Sequence, residues 1–240
     1  MKYGILAAGE GSRLAQEGIA VPKPLVTLNG EPMIDRLIRI FCENDAEEIV
    51  VITNSHTPQV AEHLSTFNFT HLPSPLGGGG GRLSTLQRTT PSSMHSFYEL
   101  YSYLGTGKFC LTTVDTVFRE EEFKDYIQQF SEMDGDGLMA VTDYVDDEKP
   151  LYIATDDDMR ITGFYDTCCE DTHYISGGIY GLNERSFSTL ERCISKGMSR
   201  MRNFQREMVK DGLRLQAYRF SKILDVDHYD DIKKAEDFLR

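Results

Sequence analysis

The chain has 240 residues, a length that favours one large domain over two small ones. Its net charge of -13 argues against nonspecific binding to nucleic acids or to an anionic membrane surface. No apolar run approaches the ~18 residues of a transmembrane helix, and the first residues do not resemble a secretory or transit signal. We therefore expect a single domain over residues 1–240, located in the cytoplasm, with neither a nucleic acid nor a membrane as its partner.

The five cysteines make a poor disulfide framework, because their number is odd and Cys168 and Cys169 are adjacent. We interpret them as reduced thiols in a reducing compartment. Cys168, Cys169 and His173 also lack a matching half-site at zinc-ligand spacing, so the sequence disfavours a metal site there.

Predicted strands and helices alternate through the first part of the chain. Apolar runs typical of buried strands alternate with segments in which apolar residues recur at helical spacing. In chain order, they predict a strand at 3–8, a helix at 32–41, a strand at 49–53, a helix at 97–104, a strand at 109–114, a helix at 123–130 and a strand at 137–142. This alternation specifies parallel strands crossed by helices, which is the α/β layered class.

The later part of the chain changes character. Three strand-like segments without a helix between them predict an antiparallel or mixed extension of the same sheet: 151–154, 160–165 and 174–182. The remaining predictions are helices at 184–195 and 200–210, a strand at 213–218 and a helix at 228–239. Five consecutive glycines, Gly77 to Gly81, predict either a flexible connection or a loop that covers a substrate.

A glycine turn directly after the first strand is the strongest chemical signal. It reads Gly-Glu-Gly-Ser-Arg-Leu from Gly9, and Pro-Lys-Pro-Leu follows from Pro22. Backbone N–H groups in such a turn can approach an anion closely, and Arg13 and Lys23 add two cations suited to phosphate. No Gly-Lys-Ser/Thr follows, so the turn is not a P-loop, and Leu14 excludes the dinucleotide fingerprint. The sequence therefore predicts a polyphosphate site here.

Together, the two segments resemble the signature of the nucleotidyltransferases that make nucleoside-diphosphate sugars and related activated alcohols. The resemblance implies one domain with a three-layer, Rossmann-like mixed sheet of the nucleotide-diphospho-sugar transferase type. It also implies that Arg13 and Lys23 are catalytic cations, with Lys23 contacting the phosphate of substrate or product. The residues implied to bind the nucleotide at this turn are Ala8, Gly9, Gly11, Ser12 and Arg13.

Three aspartates are candidate ligands for Mg²⁺. Asp115 follows the strand at 109–114, at the carboxyl end where ligands of open α/β sheets bind. Asp225 and Asp227 lie two residues apart in an extended segment, and their carboxylates would repel each other without a cation nearby. The resemblance implies that Asp115 and Asp225 are magnesium ligands, with Asp227 a further candidate. The alternative for Asp227 is the N-cap of the last helix.

Other candidates concern the nucleotide base and the acceptor. The resemblance implies that Ser96 approaches the base and ribose, although Ser92, Ser93 or Ser96 could instead cap a helix. It also implies that Gly177 and Gly178 leave room for the acceptor, although they could equally form a β-bulge.

The sequence departs from the family at the acceptor phosphate. Many members that use sugar phosphates have a lysine shortly before the acceptor segment, whereas residues 165–173 contain none. His173 or Arg82 could substitute for that lysine.

The motifs therefore predict Mg²⁺-dependent transfer of a nucleoside monophosphate from a nucleoside triphosphate to a phosphorylated acceptor, with release of pyrophosphate. The acceptor favoured by the resemblance is a sugar 1-phosphate, and a smaller branch of the family uses phosphocholine. The alternatives are a glycosyltransferase that uses a nucleotide sugar and a noncatalytic nucleotide-binding regulatory domain.

Overall fold

The computed structural model describes residues 1–66, 82–146 and 148–240. The glycine run Gly77 to Gly81 lies outside these described residues. Among them, no helix combines the length and the apolar character that crossing a bilayer requires. The cysteines are free thiols; Cys168 and Cys169 are exposed and the other three are buried.

The secondary structure follows the predicted alternation. The helices are α1 (Ser12–Gln16), α2 (Met33–Glu43), α3 (Pro58–Thr66), α4 (Ser93–Leu104), α5 (Glu120–Glu132), α6 (Arg185–Ser195), α7 (Met201–Lys210) and α8 (Tyr229–Phe238). The strands are β1 (Lys2–Ala7), β2 (Thr27–Leu28), β3 (Glu31–Pro32), β4 (Glu48–Thr53), β5 (Arg82–Gln87), β6 (Lys108–Thr113), β7 (Thr116–Val117), β8 (Gly137–Thr142), β9 (Tyr152–Thr155), β10 (Ile161–Tyr165), β11 (Thr172–Asn183), β12 (Leu215–Arg219) and β13 (Leu224–Asp225).

One mixed sheet organises the fold. Within the described residues its strands lie in the order β10-β9-β11-β6-β1-β4-β5, and β8 pairs with both β11 and β12. The pairs among β6, β1, β4 and β5 are parallel, whereas β11 runs antiparallel to β6, β8 and β9. The α/β class and the antiparallel extension predicted from the later part of the chain are confirmed.

Helices cover both faces of the sheet. Because successive side chains of a strand point to opposite faces, Tyr3 and Ile5 of β1 pack on one face and Leu6 packs on the other. The first face packs against α2, α3 and α5, and the second against α4, α6 and α7. These three layers agree with the predicted architecture. The extent of the domain over residues 1–240 stays a prediction.

Two elements of the main layers, α3 and β5, were not predicted from the sequence. Helix α3 buries only Val60 and Leu64, and β5 lies at the edge of the sheet with no fully buried side chain among its residues. Both segments therefore lack the run of apolar residues on which a pattern-based prediction depends.

The topology brings the ends of several strands to one edge of the sheet. Strands β1, β4 and β6 are parallel neighbours, so their carboxyl ends lie together. The short pair β7–β13 lies beside this edge and places Asp225 opposite Thr116. A small apolar cluster that includes Leu14, Val226 and Ala235 connects the first loop to α8. The first and last segments of the chain thus meet at the carboxyl edge.

Candidate active site

The glycine turn lines a cavity of about 900 Å³ at the carboxyl edge of the sheet. Gly11 has φ +60°, and a Cβ at this position would lie 2.8 Å from Cβ of Lys23. Both the backbone conformation and the close approach of Lys23 therefore require glycine. The predicted nucleotide residues all line the cavity: Ala8, Gly9, Gly11, Ser12, Arg13 and Ser96.

Lys23 connects two carboxylates across this cavity. Its side chain is only 9% exposed, and its ammonium donates to Asp115 and, at 2.6 Å, to Oδ1 of Asp227. Burial alone would lower the pKa of Lys23, but the two carboxylates outweigh it and the pKa is raised. Burial alone would raise the pKa of Asp115, but Lys23 outweighs it and the pKa is lowered. Both groups are therefore charged at neutral pH.

Asp227 also holds Arg13. Its Oδ2 accepts a hydrogen bond of 2.7 Å from Nη1 of Arg13, so each oxygen of this carboxylate has a cationic partner. The N-cap of α8 is His228, one residue later, so the alternative assignment of Asp227 as N-cap is wrong. Glu17 strengthens the same connection, because its Oε2 accepts a hydrogen bond of 2.6 Å from the backbone N–H of Tyr229. The start of α8 is thus fastened to the glycine-turn segment.

Two hydrogen bonds connect the segment that contains Asp225 to the turn that contains Asp115. The backbone N–H of Val226 donates to the carbonyl oxygen of Asp115 at 3.1 Å, and the Thr116 hydroxyl donates to Oδ1 of Asp225 at 3.3 Å. Both aspartates line a smaller cavity of about 250 Å³, together with Ser176, Gly178, Arg200 and Arg202. We call this cavity the inner chamber.

The carboxylates fit a magnesium ion that is shared with a phosphate ligand. An ammonium group already bridges Asp115 and Asp227, which indicates that this position accepts a cation. Within the parts of the chain that the structure describes, no three His, Cys, Asp or Glu side chains form a metal-binding group. Mg²⁺ is often held by one or two carboxylates plus substrate phosphates, so two aspartates are sufficient. The metal-binding roles of Asp115, Asp225 and Asp227 stay predictions.

The two acceptor-side glycines form a bulge in β11. The pairing with β8 shifts between Ser176 and Tyr180, as the alternative interpretation predicted. Gly178 has φ +74°, and a Cβ there would lie 2.6 Å from Oγ1 of Thr116 and 3.0 Å from Oγ1 of Thr113. The bulge brings the backbone of β11 against the two threonines that flank the Asp115 turn. Gly178 lines the inner chamber, whereas Gly177 lines a neighbouring cavity with Arg13 and Asp227.

We expect Gly178→Ala to destabilise the protein by about 2–4 kcal/mol, because it combines a left-handed backbone with a steric clash. Gly197→Ala is the matched control: its φ is +67°, but nothing lies within 4 Å of the new Cβ. The control should cost only about 1 kcal/mol, the penalty of the backbone conformation alone. Urea unfolding of both variants measures the difference. Equal losses in the two variants would show that the contact with the threonines is unimportant.

Several polar residues at the cavity were missed in the sequence. Asn54 follows β4 and is buried; its side-chain amide donates to the carbonyl oxygen of Ala8 at 2.9 Å, and its Oδ1 accepts from Thr89. Thr90 bonds to Ser96 at 2.6 Å between their hydroxyl oxygens. The place of Asn54 directly after a buried strand could have identified it. Ser92 occupies the N-cap of α4, but its hydroxyl makes no capping hydrogen bond.

Neither suggested substitute for the absent lysine lies at the site. Arg82 is at the start of β5, the opposite end from the carboxyl edge, and pairs there with Glu48 at 3.5 Å. His173 is exposed on β11 and lines none of the cavities described above. The cations in the inner chamber are instead Arg200 and Arg202, which the sequence analysis missed.

Comparisons with known proteins agree with this fold. A family model described as "MobA-like NTP transferase domain" matches residues 4–208. The chain is 31% identical over 141 residues to a "Bifunctional IPC transferase and DIPP synthase" of Thermococcus kodakarensis. The matched region covers 57% of this chain and 27% of that protein. It is 25% identical over 143 residues to a "Probable glucose-1-phosphate cytidylyltransferase" of Bacillus subtilis. That match covers 59% of this chain and 52% of the relative. The chain thus spans about half or less of the length of these relatives.

A solved structure extends the likeness over the whole chain. The inositol-1-phosphate CTP transferase from T. maritima matches with a TM-score of 0.78 and 18% identity, covering 100% of this chain and 97% of that one. At this identity the match concerns the fold, and it agrees with the Rossmann-like mixed sheet predicted from the motifs.

Proposed function

The chain belongs to the family of MobA-like NTP transferase domains, and from this premise we propose that it transfers a nucleoside monophosphate to a phosphorylated acceptor. Membership confirms the resemblance to nucleotidyltransferases. The names of the B. subtilis relative and of the solved structure favour CTP as donor and a sugar or inositol phosphate as acceptor. The second product is pyrophosphate.

One observation supports this proposal above the others. The cations of the first loop, Arg13 and Lys23, meet the carboxylates of Asp115 and Asp227 at a cavity of about 900 Å³. The two cations and the backbone N–H groups of the turn are donors that suit a polyphosphate, and a bound Mg²⁺ would offset the charge of the carboxylates. The volume is ample for a nucleotide.

The proposed reaction needs alignment and charge neutralisation more than proton transfer. An oxygen of the acceptor phosphate attacks the α-phosphorus in line, and the bond to the oxygen that bridges the α- and β-phosphates breaks. The electron pair leaves with pyrophosphate. The attacking oxygen is already anionic at neutral pH, so no general base is required. The chain must therefore bring two anions together and hold them in line.

The first loop contributes most of the alignment. The backbone of Gly9 to Ser12 and the guanidinium of Arg13 would bind the β- and γ-phosphates and the departing pyrophosphate. Lys23 would donate to the α-phosphate from its position beside Asp115. Asp227, whose two oxygens bind Lys23 and Arg13, would orient both cations.

Asp115 and Asp225 would hold Mg²⁺. The ion would supply positive charge at the α-phosphate, where negative charge accumulates during transfer. Asp227 stays a weaker candidate for a metal ligand while Lys23 is present, because its two oxygens then bind Lys23 and Arg13 and a metal ion would have to displace one of them. Ser96 and Asn54 would line the nucleoside end of the cavity.

A pyrophosphate-release assay tests the proposal. Purified protein is incubated with each common nucleoside triphosphate and with glucose 1-phosphate, inositol 1-phosphate or phosphocholine, in Mg²⁺ or in EDTA. We expect release with at least one pair of substrates, only with Mg²⁺ and only with the acceptor present. In a parallel reaction with a nucleotide sugar in place of the triphosphate, release of a nucleoside diphosphate would favour a glycosyltransferase instead. Binding of nucleotide with no turnover on any pair would favour a regulatory domain.

A further inference from the structure

The inner chamber contains two cations on the acceptor side of the carboxylates. Asp115 and Asp225 would repel an acceptor phosphate, so a bound acceptor needs positive charge nearby. Among the described residues that line this chamber, Arg200 and Arg202 supply it. Arg200 is the N-cap of α7 and Arg202 is its second residue, so neither belongs to the segment from which the family lysine is absent.

Two groups that line a neighbouring groove, and not the inner chamber, bind the guanidinium of Arg202. Its Nη1 lies 2.6 Å from Oδ1 of Asp166, and its Nη2 donates to the carbonyl oxygen of Lys149 at 2.8 Å. Its side chain is 27% exposed. A guanidinium has five N–H donors in a fixed plane, so several remain for a ligand after these two bonds. Arg202 is therefore a pre-positioned cation.

Asp166 lies within residues 165–173, the segment in which many family members have a lysine. The segment supplies a carboxylate, and the cation comes from the facing helix. Arg206 and Arg202 both bond to Asp166 and lower the pKa of its carboxyl, so Asp166 stays charged and keeps its hold on them at neutral pH. Where the family has a cation on this segment, the present chain has an anion there, and the cations lie on α7 instead.

Arg200 has a strained backbone and a guanidinium that is available to a ligand. Arg200 has φ +71°, a left-handed conformation that is strained for a residue with a Cβ. Its N–H donates to the Ser92 hydroxyl at 3.1 Å. Its guanidinium has no hydrogen bond or ion pair with any residue that the structure describes. Strained backbone is commonly retained where it orients a ligand-binding group.

We propose that Arg202, positioned by Asp166, binds the phosphate of the acceptor in the inner chamber and takes the place of the absent lysine. This inference rests on the proposed function and deepens it by assigning the acceptor side. A planar guanidinium can bind two phosphate oxygens through two parallel N–H groups, a geometry that a lysine ammonium does not have. The site therefore selects acceptors with an exposed phosphate dianion.

Arg206 provides an unusually close control. Its Nη2 lies 2.7 Å from the same oxygen of Asp166. Both arginines line a neighbouring groove, but only Arg202 also lines the inner chamber. Substitution of Arg202 or Arg206 therefore removes an equivalent ion pair with Asp166. Only the substitution of Arg202 removes a donor from the inner chamber.

The test measures KM for acceptor and for triphosphate separately, with whichever of glucose 1-phosphate, inositol 1-phosphate and phosphocholine the unmodified protein uses best. We expect Arg202→Gln to raise the acceptor KM by at least about 30-fold and to change the triphosphate KM by less than about 3-fold. Arg202→Lys should recover part of the loss. Arg206→Gln should change neither KM by more than about 3-fold.

The positioning role of Asp166 has its own readout. Asp166→Asn should raise the acceptor KM by about 5- to 10-fold, and it should add almost nothing to Arg202→Gln in the double variant. If Arg202→Gln folds poorly by circular dichroism, Arg202→Lys and Asp166→Asn carry the same comparison.

Two failures are distinguishable. A folded protein that releases no pyrophosphate with any acceptor counts against the proposed function itself. An active protein in which Arg202→Gln keeps its acceptor KM, or in which Arg206→Gln raises it equally, overturns the role of Arg202.

Discussion

Asp115→Asn is expected to reduce pyrophosphate release by at least about 1000-fold, because the amide is a weaker metal ligand and carries no charge beside the α-phosphate. Folding should change little. Lys23 keeps Asp227 as a partner, and an amide fits the space of the carboxylate. We expect the free energy of unfolding to change by less than about 2 kcal/mol, measured by urea denaturation.

Asp211→Asn is the matched control for this substitution. Asp211 is 31% exposed and pairs with Arg192 at 2.5 Å, but it lies at the end of α7 and lines none of the cavities described above. Its variant loses a comparable ion pair and should keep activity within about 3-fold. Activity of Asp115→Asn above about a tenth of the original would refute the assignment of Asp115 as a metal ligand.

Lys23→Met is expected to lower kcat/KM for the triphosphate by about 100-fold or more, because an ammonium beside the α-phosphate is lost. The same change leaves Asp115 and Asp227 without the cation between them. Their repulsion should lower stability in EDTA by about 1–3 kcal/mol. Added Mg²⁺ should recover much of this stability in the variant and change the original protein less, since a divalent ion can replace the ammonium.

Lys196→Met tests whether these effects are specific to position 23. Lys196 is exposed in the turn after α6 and lies at none of the cavities described above. Thermal unfolding of both variants, with and without Mg²⁺, together with steady-state kinetics, gives the comparison. If Mg²⁺ stabilises Lys23→Met no more than Lys196→Met, the position between the two aspartates does not accept a divalent cation.

The fold could largely be predicted from the sequence, because its signals are local. The apolar run around Ile5 and the helical spacing of Ile34, Leu37 and Phe41 each reflect burial on a particular face. The edge strand β5 and the helix α3 could not be predicted, because they bury too few apolar side chains to leave a pattern.

The site was predictable only where its residues belong to short motifs that can be recognised one at a time. The glycine turn, Lys23 and the aspartates were identified from short motifs, and the structure brings Lys23, Asp115 and Asp227 into contact. No spacing rule connects Asp166 to Arg202, because their contact depends on how α7 packs beside β10. The positive φ of Arg200 likewise leaves no mark in composition or periodicity.

The contacts between α8 and the glycine-turn segment determine when this segment becomes ordered during synthesis. Lys23 and Arg13 emerge early in translation, but Asp227 and Tyr229, which hold this region in place, emerge some two hundred residues later. Contacts so distant in sequence form late, since a long loop must close first. A nascent chain therefore has the glycine-turn segment without this support until Asp227 and Tyr229 have been synthesised.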